Sequence, residues 1–242
     1  MRPKIEAFGL SDIGHVRKKN EDVFKILEEH LLFSVADGMG GHRAGDIAAL
    51  HATTHINNLL AKTLLTTVSI DQIINLINLA IKEANFRVFN LSRSNRDYSG
   101  MGTTLCFLHL NSSHAIFAHV GDSRVYHYQK NSFIQLTKDH SLINKLIDQN
   151  KNCDKKTCKN IITKAIGTYP KIEPSIDTIP YEIGDIFLMT TDGLTDYISN
   201  DHIKKIIEFS KSPRILCENL IKEAKNNGSS DNITALAVKI IE

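Results

Sequence analysis

Residues 32–45 read LFSVADGMGGHRAG, an apolar run that stops at an aspartate followed by three glycines within four positions. Leu31, Leu32, Phe33, Val35 and Ala36 have the length and the closing turn signal of a buried strand, so the carboxylate of Asp37 is expected where that strand leaves the core. Gly38, Gly40 and Gly41 carry no Cβ and let backbone oxygens and amides come close to a ligand. Beyond Gly45 an amphipathic segment begins, which gives a strand, an Asp-Gly loop and a helix in succession. Taken alone, an Asp-Gly after a strand is an ordinary tight turn.

The chain repeats the device. Ile186 to Thr191, IFLMTT, is a second apolar, β-prone run, and it too ends in Asp-Gly, at Asp192-Gly193. A third acidic turn, GSSDN at 228–232, precedes the apolar run 233–241, and a fourth, Gly121-Asp122-Ser123-Arg124, joins two strand-like runs. Four carboxylates at strand ends are placed to converge on one edge of a sheet system. Their oxygens, unaccompanied by thiolates or paired imidazoles, select hard cations such as magnesium or manganese over zinc or copper. Two such ions about 3.5 to 4 Å apart hold a water between them, lower its pKa and clamp phosphoryl oxygens during an in-line displacement. Bridging two ions takes a carboxylate with one oxygen for each, and Asp37 is the candidate; Asp192 and Asp231 are candidates for terminal ligands. The polar loop SDIGHVRKKNEDVF (11–24) adds Asp12, Arg17, Asn20, Glu21 and Asp22 just ahead of a strand pair. Arg17 suits bidentate contact with a phosphate, and the acids suit outer-shell roles.

A length of 242 residues with 42% hydrophobic and 23% charged content describes one soluble domain, with no linker or break in composition to divide it. The net charge of +2 is too near balance to argue for nucleic acid or an anionic membrane. The opening MRPKIEAFGL is neither a signal peptide nor followed by a spanning run, and the four cysteines at 106, 153, 158 and 217 are scattered. A cytoplasmic location with reduced thiols is the expectation.

In chain order, a short strand over 4–9 leads through the polar loop to a strand pair, 23–27 and 31–36. Helices are predicted over 45–61 and 71–91, the second with Asp71 as N-cap and with Ile73, Ile77, Ala80, Ala84 and Val88 on one face. The runs TLCFLHL, HAIFAHV, RVYHYQ and FIQL, separated by short polar turns, predict an antiparallel meander, because parallel pairing needs a crossover of a dozen or more residues. His109, His114, His119 and His127 in and beside it lack ligand spacing and read as structural. A polar, lysine-rich stretch over 139–163 reads as solvated surface in preference to a docking segment for an acidic partner through Lys151, Lys155, Lys156 and Lys159. A run over 175–181, a strand from 186, helices over 201–209 and 213–224 and a strand over 232–241 complete the chain. This irregular order argues for antiparallel sheets flanked by helices and against a doubly wound parallel fold.

The segments SDIGHVRKKNED, VADGMGGHRAG, GTTL, VGDSRVY, LTKDHS, ITKAIG, TTDGLTD and GSSDNIT, in this order and at this spacing, resemble the metal-dependent, type 2C protein serine/threonine phosphatases in their compact bacterial form. Any one segment is a weak signal; eight in order are specific. The resemblance implies an α+β fold, a four-layer αββα sandwich with two central antiparallel β-sheets flanked by helices. It implies a single catalytic domain over 1–242, with an atypical flap-like segment at about 140–163. The implied reaction is hydrolysis of phosphoserine and phosphothreonine by direct attack of a metal-bridging water or hydroxide, with no phosphoenzyme, at a binuclear Mn²⁺ or Mg²⁺ centre. By the same likeness Asp37 bridges both ions, the Gly38 carbonyl binds the first, and Asp192 and Asp231 bind the second. Glu21 acts through a metal-bound water, Arg17 holds the phosphate, and Asp122 joins Asp192 at a weaker third ion.

Many eukaryotic members of that family have a histidine two positions after the bridging aspartate, proposed there as general acid. This chain has Met39 in its place, which turns attention to nearby His42 or to water. His119 stands where asparagine is common before the GDSR segment. The partners implied are phosphoserine and phosphothreonine proteins, including a cognate serine/threonine kinase or its substrates, met by a monomer without nucleic acid or membrane. Rival readings fit less well. Gly121-Asp122-Ser123 imitates the nucleophile block of GDS-type esterases, but the only DxxH, Asp12 to His15, precedes it and reverses that family's order. An aspartyl-phosphate phosphatase needs a DxDx(T/V) motif, which Asp192-Gly193-Leu194 breaks. A pseudophosphatase acting as a binding module would lack metal ligands, and none is missing.

Overall fold

The computed structural model describes residues 2–40, 44–64, 69–151, 158 and 161–242. His42, and much of the flap-like stretch, lie outside the described residues. The strands are β1 (Ile5–Asp12), β2 (Asp22–Leu27), β3 (Leu32–Met39), β4 (Gly102–Thr103), β5 (Leu105–Leu110), β6 (His114–Val120), β7 (Arg124–Gln129), β8 (Ser132–Gln135), β9 (Ser175–Pro180), β10 (Ile186–Thr190) and β11 (Ile233–Ile240). The helices are α1 (Gly45–Thr63), α2 (Ile70–Ser94), α3 (Leu142–Asp148), α4 (Asp192–Thr195), α5 (Asn200–Phe209) and α6 (Pro213–Asn226).

Two antiparallel sheets form, ordered β1-β11-β10-β7-β8 and β2-β3-β5-β6-β9, with β4 added to β3. The central strands are apolar on both faces because both faces are covered. Phe33, Val35, Cys106 and Leu108 of one sheet meet Val125, Phe187, Met189 and Leu236 of the other. The alternate residues Leu32, Leu105 and Phe107 turn outward onto Ala48, Ala52 and Ile56 of α1 and Ile77 and Ile81 of α2. On the far side Tyr126, Leu188 and Ala235 pack under Ile203 and Ile207 of α5 and Leu216 and Leu220 of α6. The result is the αββα sandwich.

Three local expectations change. The N-cap of α2 is Ser69, not Asp71: its Oγ accepts from Gln72 N at 3.2 Å while Gln72 Oε1 accepts from Ser69 N at 3.3 Å. This reciprocal box satisfies two otherwise orphaned amides, which a carboxylate at 71 does not do. The strand at the centre of the sequence argument runs through Asp37 to Met39, extended by pairing with β4, instead of ending at the aspartate. The predicted meander is two hairpins in different sheets, β5–β6 in one and β7–β8 in the other. The turn Gly121-Asp122-Ser123 carries the chain across the sandwich. Gly121 has φ +99°, and a Cβ there would lie 2.7 Å from Thr104 Cγ2, so the crossing depends on glycine. Short polar turns look alike in sequence whether they close a hairpin or switch sheets.

Candidate active site

The ends of both sheets meet at one edge. Asp37 lies near the end of β3, Asp22 sits opposite it at the start of β2, Asp192 follows β10 and Asp231 precedes β11. The main chain at Asp37 is clamped: its N–H donates to Thr104 Oγ1, and its carbonyl accepts from Thr104 N and Thr103 Oγ1, each at 2.9 Å. Gly38 leaves no room for a side chain, since a Cβ would stand 2.2 Å from Gly45 O and 2.7 Å from Glu21 O. Here the start of α1 presses on the strand and brings Glu21 with it. Asn232 ties the polar loop down by accepting from Glu21 N at 2.9 Å and donating to the carbonyls of Ile13 and Lys19, each at 3.0 Å.

A cavity of about 460 Å³ results, with Glu21, Asp37, Asp192 and Asp231 in its wall and Arg17, Lys18 and Lys19 at one side. Gly38, Met39 and Thr104 also line it. The carboxyls of Asp37 and Asp192 are within hydrogen-bonding reach of each other. Burial, then the charges of Asp22, Asp192, Asp231 and Asp122, hold Asp37 well above the usual carboxylate range. Burial first, then Asp231 and Asp196, raise Asp192 to about 6. Asp122, buried and facing Asp192 and Asp139, is raised to about 7. It lines a smaller cavity of about 180 Å³ with Arg124, Asp139 and Asp196, and Asp192 walls both cavities.

The fit of this site to divalent cations can be judged from the donors. They are oxygens only, in mutual repulsion, and Asp192 Oδ1 is buried without a hydrogen-bond donor among the described residues. Such a cluster asks for positive charge. Yet among the described residues no three His, Cys, Asp or Glu groups are gathered as a ready coordination set. Asp231 supplies a reason: its Oδ2 accepts from Arg17 Nη2 at 2.7 Å and its Oδ1 from Asn232 N at 2.8 Å. In this structure the arginine expected to hold a phosphate and an aspartate expected to hold a metal hold each other. The residues present fit a metal once that pair opens.

Asp12 is not in the cavity wall. Its carboxylate accepts from Lys225 Nζ at 3.0 and 2.9 Å and from Gly14 N at 2.8 Å, so it pins the polar loop to α6.

The family model of protein phosphatase 2C matches residues 15–226. The chain belongs to the protein phosphatase 2C family. Members are metal-dependent protein phosphatases, and this chain is such an enzyme. The protein phosphatase PhpP of Streptococcus pneumoniae is 35% identical over 240 residues, covering 96% of each chain. The serine/threonine phosphatase of S. agalactiae shares 34% identity at a TM-score of 0.90, covering 98% of this chain and 100% of that one. A catalytic domain of the serine/threonine protein phosphatase PstP in complex with two manganese ions aligns with a TM-score of 0.86 at 26% identity, covering 98% of this chain and 99% of that one.

Two parts of this site go beyond the sequence reading, which gives Asp22 only a general outer-shell role in the polar loop and Asp139 no role of its own. Asp22 Oδ2 accepts from Thr191 Oγ1 at 2.9 Å and Thr234 Oγ1 at 2.7 Å, and burial lifts its pKa to about 7. Its signal was a carboxylate opening a strand directly opposite Asp37, visible only once the register is known. Asp139, in the LTKDHS segment, takes three hydrogen bonds from Arg124, at 3.0, 3.1 and 2.7 Å. That pair fixes the wall between Asp122 and the α3 segment.

Proposed function

We propose that the chain removes phosphate from phosphoserine and phosphothreonine in proteins, with Asp37, Gly38, Asp192 and Asp231 holding two divalent cations, Mn²⁺ or Mg²⁺. The observation that carries this reading is the meeting of the buried Asp37 and Asp192 carboxyls, with an unpartnered Asp192 oxygen, in a cavity that also holds Arg17. Cations bound there would neutralise the carboxylates, polarise the phosphoryl group and activate a water for in-line attack. Arg17 leaves Asp231 and takes the substrate phosphate, a planar fork meeting two phosphoryl oxygens. Each partner it exchanges is anionic, so the switch costs little charge compensation. Glu21 lies against the start of α1 beside Gly45, placed to accept a hydrogen bond from an ordered water. Asp122 and Asp192, in the smaller cavity, are the pair for a third, weaker ion. Met39 lines the main cavity and has no proton to give, so the leaving oxygen takes its proton from water or from His42.

The partners follow from the chemistry: phosphoproteins, including a serine/threonine kinase or its substrates, engaged by a monomeric single domain spanning 1–242. Among the described residues no helix is long and apolar enough to cross a membrane. We assign the enzyme to the cytoplasm, the compartment of the serine/threonine kinases it would oppose. Cys106 and Cys217 are free, but Cys158 is disulfide-bonded, which corrects the expectation of reduced thiols throughout. The deciding experiment is turnover of a phosphoserine or phosphothreonine peptide with manganese and after complete chelation. Turnover requires the metal on this account, and undiminished turnover without it rejects the proposal.

A further inference from the structure

A third cavity, of about 510 Å³, opens beside the two already described. It shares Asp139, Ser141 and Asn144 with the Asp122 cavity, which shares Asp192 with the main one. The three cavities therefore lie side by side, each sharing wall residues with the next.

The chemistry of this basin is basic. Lys138, Lys145 and Lys164 stand around it. Its acids are spent: Asp148 pairs with Lys138, and Asp139 is held by Arg124. Lys145 has no carboxylate partner among the described residues. Among the described residues Lys164 reaches the backbone carbonyl of Glu173, at 3.1 Å, and no carboxylate, while the Glu173 carboxylate pairs with Lys82. Two ammonium groups are thus left without an anion among the described residues. The charge of Lys164 is felt nearby. Burial above all, then the stacked His119 and Lys164, press His140 down to about 3, so it stands neutral in the wall with its Nε2 against Ser175 Oγ at 2.9 Å.

We propose that this basin is a docking site for an anionic group of the substrate protein, a second phosphate or an aspartate or glutamate carboxylate a few residues from the phosphorylated one. The inference rests on the phosphatase reading of the Asp37 and Asp192 cavity and names its substrate class: acidic or multiply phosphorylated segments. Lysine serves here as a point charge for such groups, free of the geometric demands that arginine makes in the main cavity. A volume of about 510 Å³ accommodates a phosphate or carboxylate side chain with its water.

The test uses the manganese-loaded full chain and a matched set of phosphopeptides in which a second phosphoserine, an aspartate, an alanine or a lysine stands two to five residues from the phosphothreonine that is cleaved. The expected result is a kcat/KM for the acidic peptides roughly three- to ten-fold above that for the alanine peptide, carried by KM. The preference should fall toward one in the Lys145→Ala/Lys164→Ala double variant and reverse toward lysine-bearing peptides in Lys145→Glu/Lys164→Glu. It should also shrink as salt rises, because the basin is open to solvent. Equal kcat/KM for all peptides in the natural protein overturns the docking site and leaves the phosphatase reading intact. A preference that survives the double substitution places the recognition elsewhere and also overturns it. No turnover of any peptide removes the phosphatase reading and the inference together.

Discussion

Asp192→Asn is expected to make the metal-free protein more stable while removing its response to metal. In the folded chain Asp192 titrates at about 6, against 3.8 in the solvated state, because burial and its carboxylate neighbours disfavour its charge. Between those values the folded chain binds a proton that the unfolded chain has lost. Stability therefore falls as pH rises from 3.8 through 6 and stays at the lower level at pH 7. A displacement of about two pH units corresponds to on the order of 3 kcal/mol. Asparagine carries no charge, and its amide donates to Asp37 where a shared proton is otherwise needed, so most of that cost is recovered. With an unfolding entropy of about 2.1 cal/mol/K per residue, a chain of 242 residues changes stability by about 0.5 kcal/mol for each degree near its midpoint. The variant should thus melt roughly 6 °C above the natural protein in chelator at pH 7. Manganese at about a hundred times its Kd should raise the natural protein by roughly 5 °C, since such binding contributes about 2.7 kcal/mol, and should barely move the variant. Differential scanning calorimetry with chelator and with manganese measures all four values. A variant that melts lower than the natural protein in chelator and still gains from manganese refutes the reasoning.

Arg17→Lys should lower kcat/KM on phosphopeptides by about ten-fold or more, because an ammonium cannot reproduce a two-point contact; steady-state kinetics showing natural values would remove Arg17 from the phosphate. Gly38→Ala puts a methyl 2.2 Å from Gly45 O and should cost several kcal/mol, on the order of 3, read as a lower melting temperature with manganese present. His109, buried with Nδ1 3.2 Å from Leu31 O, has its pKa pushed down to about 4, mainly by burial. The folded chain keeps it neutral while the unfolded chain takes a proton below 6.5, so this group's share of stability, on the order of 3 kcal/mol, is lost as pH falls from 6.5 toward 4. Urea unfolding of His109→Gln across that window should show a shallower loss than the natural protein.

The αββα sandwich was legible in the order of the motifs, and the acids that line its cavity in local pattern. Asp37, Asp192 and Asp231 were legible because each stands at the junction of an apolar run and a turn, a local pattern. Asp122 was legible as an acidic turn, but its turn was read as part of a meander, since nothing local distinguishes a hairpin from a sheet crossing. Asp22 is legible only as one of several outer-shell acids in a polar loop, because its particular place lies in the register that sets it against Asp37 and in the hydroxyls of Thr191 and Thr234, more than 160 positions away. The Ser69 cap was missed in favour of Asp71, as both residue types cap helices and only the reciprocal Gln72 bond decides between them. The Arg17–Asp231 pair belongs to tertiary structure alone: two groups assigned to different ligands turn to each other.

The most direct test counts the metal. Protein stripped with chelator and dialysed against manganese should retain two tightly held ions per chain by atomic absorption. Asp37→Asn, checked as folded by circular dichroism, should retain fewer than one, because the residue proposed to serve both positions has lost its charge. Retention of two ions by the folded Asp37→Asn protein, with affinity unchanged, would contradict the account.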